Sequence, residues 1–253
     1  MMLQLPDRVR KIADAKANFD HWKETRRSFL TSSEVFGWRE IDVPSWYSED
    51  NNKYTIIEGK LGAEKEFDDY SVTSMAHGSF DEQNIQEKFG YAVGCLVKPD
   101  NGLYVNDRWD FIAASIDGFG APWDADAWHD PSLEEPEVHA EFSQDRTLFP
   151  YLRSYIDDNG GLFITEVKKS TSSKFQEMVP EYYVDQVKTQ LAVLELDYGI
   201  IMAETIMRHP KQKWRQVWDF RAHVIERDPA WDKVLDEENE KFAEEIAAAG
   251  ELG

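Results

Sequence analysis

The sequence predicts an α/β fold, with one central mixed β-sheet flanked by helices in a single domain over residues 1–253. Three observations carry that expectation. Apolar, strand-like runs recur as "LFITEVKKS", "YGIIMAETI" and "WRQVWDFRAHVIERD". Between the first two lies "PEYYVDQVKTQLAVLEL", whose Tyr183, Val187, Leu191 and Leu194 fall on one side of a helix. No internal repeat divides the chain, and its aromatic share (Trp 9, Tyr 10, Phe 14) can fill a sizeable core.

Taken in order, "DRVRKIADAKANFDHWKETRRSF" reads as an opening helix, with Val9, Ile12, Ala13, Phe19 and Trp22 near one face. "LTSSEVFGW" offers Ser and Thr before an acid, the start signal of a second helix. Residues 40–74 are polar and irregular and read as loop. "GSFDEQNIQEKFGY" spaces Phe80, Ile85 and Phe89 as a helix does, while "YAVGCLVKP" and "LYVNDRWDFIAAS" are strand-like around the turn Asp100-Asn101-Gly102. A second turn, "IDGFG", follows. Residues 120–160 are rich in Pro, Trp and acid without periodicity, and read as a surface insertion rather than core. "PAWDKVLDEENEKFAEEIAAAG" closes the chain as an acidic helix at about 229–249, a solvated outer face or an interface with another chain.

The net charge is −21, which runs against a phosphate-bearing partner. Its distribution weakens that objection. Residues 120–160 carry ten acids against Arg146 and Arg153, and residues 228–253 carry nine against Lys233 and Lys241. Residues 161–227 are close to balanced and residues 1–30 are net positive, so a basic groove remains available. Residues 124–145 are accordingly expected to face away from any nucleic-acid channel. The single cysteine, Cys95, excludes an internal disulfide and any four-cysteine metal site. No apolar run approaches the roughly 20 residues that span a bilayer, and the first residues lack a secretory h-region. The expected location is the cytoplasm.

Chemistry enters with "GLFITEVKKS". Glu166 and Lys168 are two apart, so on a strand they point the same way at about 7 Å. A lone acid–lysine pair of this kind is ordinarily a solvated ion pair. Here it has company. Asp117 ends the preceding strand in "ASIDG", and Gln186 lies on the following helix. Metal-assisted phosphodiester hydrolysis needs hard oxygen ligands, which Asp117, Glu166 and the backbone carbonyl of Val167 supply. Lys168 can lower the pKa of the attacking water and stabilise charge on the phosphate, and the amide of Gln186 can orient that water.

In the same order, these residues and their neighbours resemble the lambda-exonuclease group, the YqaJ-type viral recombinases, of the PD-(D/E)xK nucleases. "WKETRRSFLTSSEV" is similar to the family's W-x-x-x-R and the T-x-S-E-V-like turn after it, giving Trp22, Arg26 and Ser33. "HGSFDEQNIQEKF" is similar to its G-x-x-x-E helix, giving Glu82. "ASIDG", "EVK" and "YYVDQ" match the segments that carry Asp117, then Glu166 and Lys168, then Tyr183 and Gln186, and "VIERD" resembles a late strand segment. The chain departs from the family in the long gap between Asp117 and Glu166, which the acidic insertion fills, and in its overall acidity.

The resemblance implies a restriction-endonuclease-like core and a magnesium-dependent exonuclease, with manganese able to substitute. Such an enzyme digests linear double-stranded DNA from 5′ ends and hands the remaining strand to a single-strand annealing protein. It also implies Glu82 as a further metal-site carboxylate, a 5′-phosphate pocket at Arg26 and Ser33 with Tyr183 also on the DNA, and a toroidal homotrimer. Read from the residues alone, Arg26 and Ser33 would be a surface arginine and an N-cap serine. The alternatives are a restriction- or RecB-like endonuclease of the same superfamily, and an inactive DNA-binding or DNA-mimic protein. His77, Trp214 and Trp218 read as structural residues.

Overall fold

A computed structural model describes residues 5–40, 51–63, 82–122, 148–170, 179–208 and 216–251. The chain is α/β, but it builds two mixed sheets where the sequence pattern suggested one. The first has four strands in the order β1-β4-β5-β2: β1 (Val9–Asp14), β4 (Gly102–Asn106), β5 (Ile112–Ser115) and β2 (Leu30–Thr31). The second has five in the order β3-β6-β7-β8-β9: β3 (Cys95–Pro99), β6 (Gly118–Pro122), β7 (Phe163–Ser170), β8 (Tyr198–Arg208) and β9 (Gln216–Glu226). Only β2–β5 and β7–β8 pair in parallel.

Two short connections carry the chain between the sheets: Asp100-Asn101 from β3 to β4, and Ile116-Asp117 from β5 to β6. They touch, because Asp100 N donates to the carbonyl of Asp117 at 2.9 Å. The Asp-Asn-Gly segment is a short connection between sheets, and the strands it joins do not pair with each other.

The expected opening helix is half strand. Residues Val9–Asp14 pair antiparallel with β4, and the register slips so that Ile12 is extra between Lys11↔Tyr104 and Ala13↔Leu103. That bulge gives a strand the apolar spacing of a helix turn. Asp14 then ends the strand, its carboxylate accepting from Lys16 N at 2.9 Å and Ala17 N at 3.2 Å. The side chain of Asn18 accepts from His21 N and starts α1 (Phe19–Arg27). The second expected helix is α2 (Val35–Arg39). The segment read as loop contains α3 (Lys53–Lys60), capped by Asn52.

The helix expected around Glu82 is described as α4, residues 82–93; Phe80 and His77 lie outside the described residues. Part of the supposed surface insertion is α5 (Leu148–Asn159), whose Leu152 and Ile156 are fully buried with Phe163, Tyr198 and Ile200. Residues 124–145 and Trp214 lie outside the described residues, as does the Trp218 side chain.

The helix α6 (Glu181–Leu194) packs against β4 and β5 and joins the larger core through Val187, Leu191 and Leu194. The closing acidic helix, α7 (Pro229–Glu251), buries Trp231, Leu235 and Phe242 in the same core. Its acids are largely spoken for. Asp232 and Asp236 receive Arg108 at 2.7 and 2.8 Å, and buried Glu238 accepts from Trp38 Nε1 at 3.0 Å. This helix is a core element with a paired acidic face.

Candidate active site

The site forms where the β5–β6 connection passes the middle of β7. The antiparallel ladder between β6 and β7 ends at Gly118↔Thr165. Beyond it, the preceding residue takes over with its side chain: Asp117 Oδ2 accepts from Val167 N at 2.7 Å. Along a strand, a residue's N–H and C=O point to the same flank. The Val167 carbonyl therefore faces the side on which Asp117 lies. Gly118 permits this crowding, since a Cβ there would stand 2.7 Å from the Lys98 carbonyl and 2.8 Å from both Gln86 Nε2 and Thr165 Oγ1.

Glu166 is 2% exposed, and each carboxylate oxygen is held. Oε1 accepts from Lys168 Nζ and from Gln186 Nε2, the latter at 2.7 Å. Oε2 accepts from Gln190 Nε2 at 2.7 Å. Lys168 Nζ lies 4.6 Å from the centre of the Tyr183 ring, so that ring supports the ammonium. The sequence-expected Asp117, Glu166, Lys168, Gln186 and Tyr183 are thus brought together, Tyr183 at the lysine. Glu82, in the first turn of α4, joins them electrostatically.

The titration of these groups reports a deficit of positive charge. Burial lifts the Asp117 carboxyl well above its ordinary range, and the charges of Glu166 and Glu82 lift it further; Lys168 and the Val167 N–H oppose this. Glu82 is raised too, first by burial and then by Glu166. Burial works against the charge on Lys168, yet Glu166 and Asp117 raise its pKa, so it remains an ammonium.

Arg26 and Ser33 form a second, separate cluster. Arg26 Nη2 donates to Ser33 Oγ at 2.7 Å and to Thr31 Oγ1 at 3.1 Å, and its guanidinium lies 5.1 Å from the Trp22 ring centre. The strand that carries Thr31 pairs with β5, and Ser32 Oγ reaches the Ser115 carbonyl at 3.5 Å. Gln190 Nε2 donates to that same carbonyl at 2.7 Å. One glutamine therefore ties Glu166 to the backbone beside the arginine cluster.

Sequence reasoning missed three supports. Gln190 stands four residues after Gln186, and Gln86 four after Glu82, each on the same helix face as its predecessor. That spacing was the available signal. Gln86 Nε2 donates to the Asp117 carbonyl at 2.9 Å and is 3.3 Å from Thr165 Oγ1. The third, Lys60, lies in the segment read as loop.

Among the described residues, no three His, Cys, Asp or Glu side chains stand at the spacing of a complete metal cage. The oxygen donors at the junction suit a hard divalent ion of the kind that takes one or two carboxylates and keeps several waters. The raised carboxyl pKa values of Asp117 and Glu82 indicate the negative charge such an ion would offset.

Residues 21–197 match the YqaJ-like viral recombinase domain. No curated protein sequence matches the chain. Among solved structures, the chain is similar to an alkaline exonuclease from Laribacter hongkongensis, at 17% identity and a TM-score of 0.58, covering 92% of this chain and 95% of that one. The same exonuclease in complex with dAMP gives 16% identity and a TM-score of 0.56 over the same shares. A phage-related exonuclease from Haemophilus somnus 129PT gives 12% and 0.53, covering 89% and 96%. At these identities the likeness is one of fold.

Proposed function

Because the chain belongs to the YqaJ-like viral recombinase family, we propose that it is a metal-dependent deoxyribonuclease that digests linear double-stranded DNA from 5′ ends. The observation that carries this reading is the junction itself. Asp117 closes onto the Val167 amide, and Glu166 is gripped by Lys168 and Gln186, at the point where one sheet hands the chain to the other.

Asp117, Glu166 and the Val167 carbonyl would hold magnesium or manganese, and Glu82 would support a second ion or its water. When bound, the ion would supply Lewis acidity toward a phosphate oxygen. Glu166 and Asp117 hold Lys168 in its charged form. Its part is to stabilise negative charge growing on the scissile phosphate, with Tyr183 steadying it from the other side. Gln186 keeps a carbonyl oxygen for the attacking water while its amide nitrogen is committed to Glu166.

The Arg26–Ser33 cluster is assigned to the terminal 5′-phosphate. A monoester carries up to one charge more than an internal diester, and a guanidinium with a hydroxyl can read that difference. Single-stranded product passed to an annealing protein, a homotrimer around the duplex, and action in the cytoplasm complete the proposal. No helix among the described residues is long and apolar enough to cross a membrane.

The test is to incubate purified protein with linear and closed-circular duplex, with and without magnesium. The proposal requires metal-dependent loss of linear DNA only. Nicking of the closed circle would identify an endonuclease, and no cleavage of either would identify a binding protein.

A further inference from the structure

The arginine cluster contains a second cation that no sequence motif places there. Lys60, the last residue of α3, has a side chain only 5% exposed. Its Nζ donates to both oxygens of Glu34, at 2.9 and 2.7 Å, and reaches the Arg26 carbonyl at 3.3 Å. Glu34 Oε2 also accepts from Thr31 N at 2.9 Å and from Thr31 Oγ1 at 2.7 Å. The carboxylate thus accepts four hydrogen bonds, none of them from Arg26. The guanidinium stands 3.9 Å off and turns Nη2 to Ser33 and Thr31 instead.

That arrangement settles a competition. A carboxylate and an arginine this close would ordinarily form a two-pronged pair, and such a pair would occupy the fork a phosphate needs. We propose that Lys60 is a positioning residue for 5′-end recognition: by taking the charge of Glu34, it leaves Arg26 available to the terminal phosphate. The inference deepens the 5′-phosphate reading of Arg26 and Ser33 and rests on it. Its physical requirement is that one carboxylate serve two cations unequally, and the distances provide that. The Glu34 carboxyl shifts in the direction this requires, although burial lowers the Lys60 ammonium more than Glu34 raises it. Burial alone would raise Glu34, but Lys60, and after it Arg26, hold its carboxyl below the ordinary range.

The experiment compares initial rates on duplexes with 5′-phosphate and 5′-hydroxyl ends, in wild type, K60M, E34Q/K60M, R26A and R26A/K60M. In K60M the unpaired Glu34 captures Arg26, and the phosphate-to-hydroxyl ratio should fall by about tenfold, mostly through KM for the phosphorylated end. The E34Q/K60M pair removes both charges, frees Arg26 again, and should restore most of the ratio. In the R26A background, K60M should have no further effect on it. Melting temperatures establish that each variant is folded, and the double variant, which leaves no lone buried charge, covers the case in which K60M is not.

A wild-type ratio of one overturns the phosphate pocket, and the role of Lys60 with it. A high wild-type ratio that K60M leaves unchanged, even with both rates lowered, overturns the role of Lys60 alone. A fall in K60M that E34Q/K60M does not reverse means that Lys60 meets the phosphate itself, and overturns its action through Glu34.

Discussion

The sheet junction and the arginine cluster are built from the same few residue types, and their carboxyl groups shift in opposite directions. At the junction, Asp117, Glu166 and Glu82 share the ammonium of Lys168, with Lys16 adding a weaker attraction at Glu82; burial and mutual repulsion prevail, and Asp117 and Glu82 are raised. At the cluster, one carboxylate faces Lys60 and Arg26; attraction overcomes a comparable burial, and Glu34 is lowered. The count of partners decides the sign. A buried site short of positive charge is prepared for a cation, and one with a surplus is prepared for an anion. A nuclease acting at DNA ends needs one of each.

The largest effects should come from breaking the junction. Asp117→Asn, Glu166→Gln and Lys168→Ala should each lower the cleavage rate by at least roughly 10²–10³-fold. Calorimetric titration with manganese separates their roles. The two acid variants should bind the ion more weakly, whereas Lys168→Ala should bind it about as well as wild type. Full activity in Lys168→Ala would remove the lysine from the mechanism.

Next in size is a pair of stability changes with opposite signs. In metal-free protein, burial and the charges of Glu166 and Glu82 disfavour the ionised form of Asp117, so this carboxyl costs stability as pH rises. Asp117→Asn keeps an oxygen for the Val167 amide and should raise the melting temperature in EDTA, by an amount on the order of 1 kcal/mol. Glu34 has the opposite linkage. Its lowered pKa contributes stability above the unfolded value, and this is lost as pH falls through the folded one. Glu34→Gln strands Lys60 beside Arg26 and should lower the melting temperature. Shifts of the same sign in both variants would break the comparison.

A further effect is expected where the two regions are joined. Gln190 is fully buried, with one amide nitrogen serving both Glu166 Oε2 and the Ser115 carbonyl. Gln190→Leu fills similar space but leaves both acceptors without that donor, at about 1–3 kcal/mol of stability. If Gln190 also orients Glu166, single-turnover cleavage should slow while DNA affinity stays near wild type. A stability loss with an unchanged rate would make it a purely structural clamp.

The sequence revealed the junction more clearly than it revealed the fold. Asp117, Glu166, Lys168 and Gln186 were legible because strand and helix periodicity fix direction over short spans, and each motif lies within one element. The division into two sheets was not, because a turn signal says that the chain reverses but not which strand it meets next. The opening strand was hidden by its own bulge, which turned alternation into helical spacing at Ile12 and Ala13. Strand β6 was hidden by glycines at 118 and 120, which read as turn residues but exist to let neighbouring atoms approach. Lys60 was out of reach, since its meaning depends on Glu34, 26 positions away.

A final effect, confined to one pH window, tests the partner-counting rule on an intermediate case. Asp185, beside Gln186 on α6, is buried and lies 3.3 Å from Arg39. It also has Glu181 on one side and Lys188 on the other, so its neighbours nearly balance. With the charges even, burial should decide, and the carboxyl is indeed raised from 3.8 to about 6. The sign follows from linkage. Between those two values the folded state holds a proton that the unfolded state has released, so stability falls as pH rises through that window and levels off above it. Asp185→Asn cannot titrate and should lose this dependence. Subtracting its unfolding free energies from those of wild type at a series of pH values cancels the other groups. The difference should drift against wild type between about pH 4 and pH 6, by at most about 3 kcal/mol. A flat difference would mean that Arg39 alone outweighs burial at Asp185, and that counting partners does not predict the sign when the charges are even.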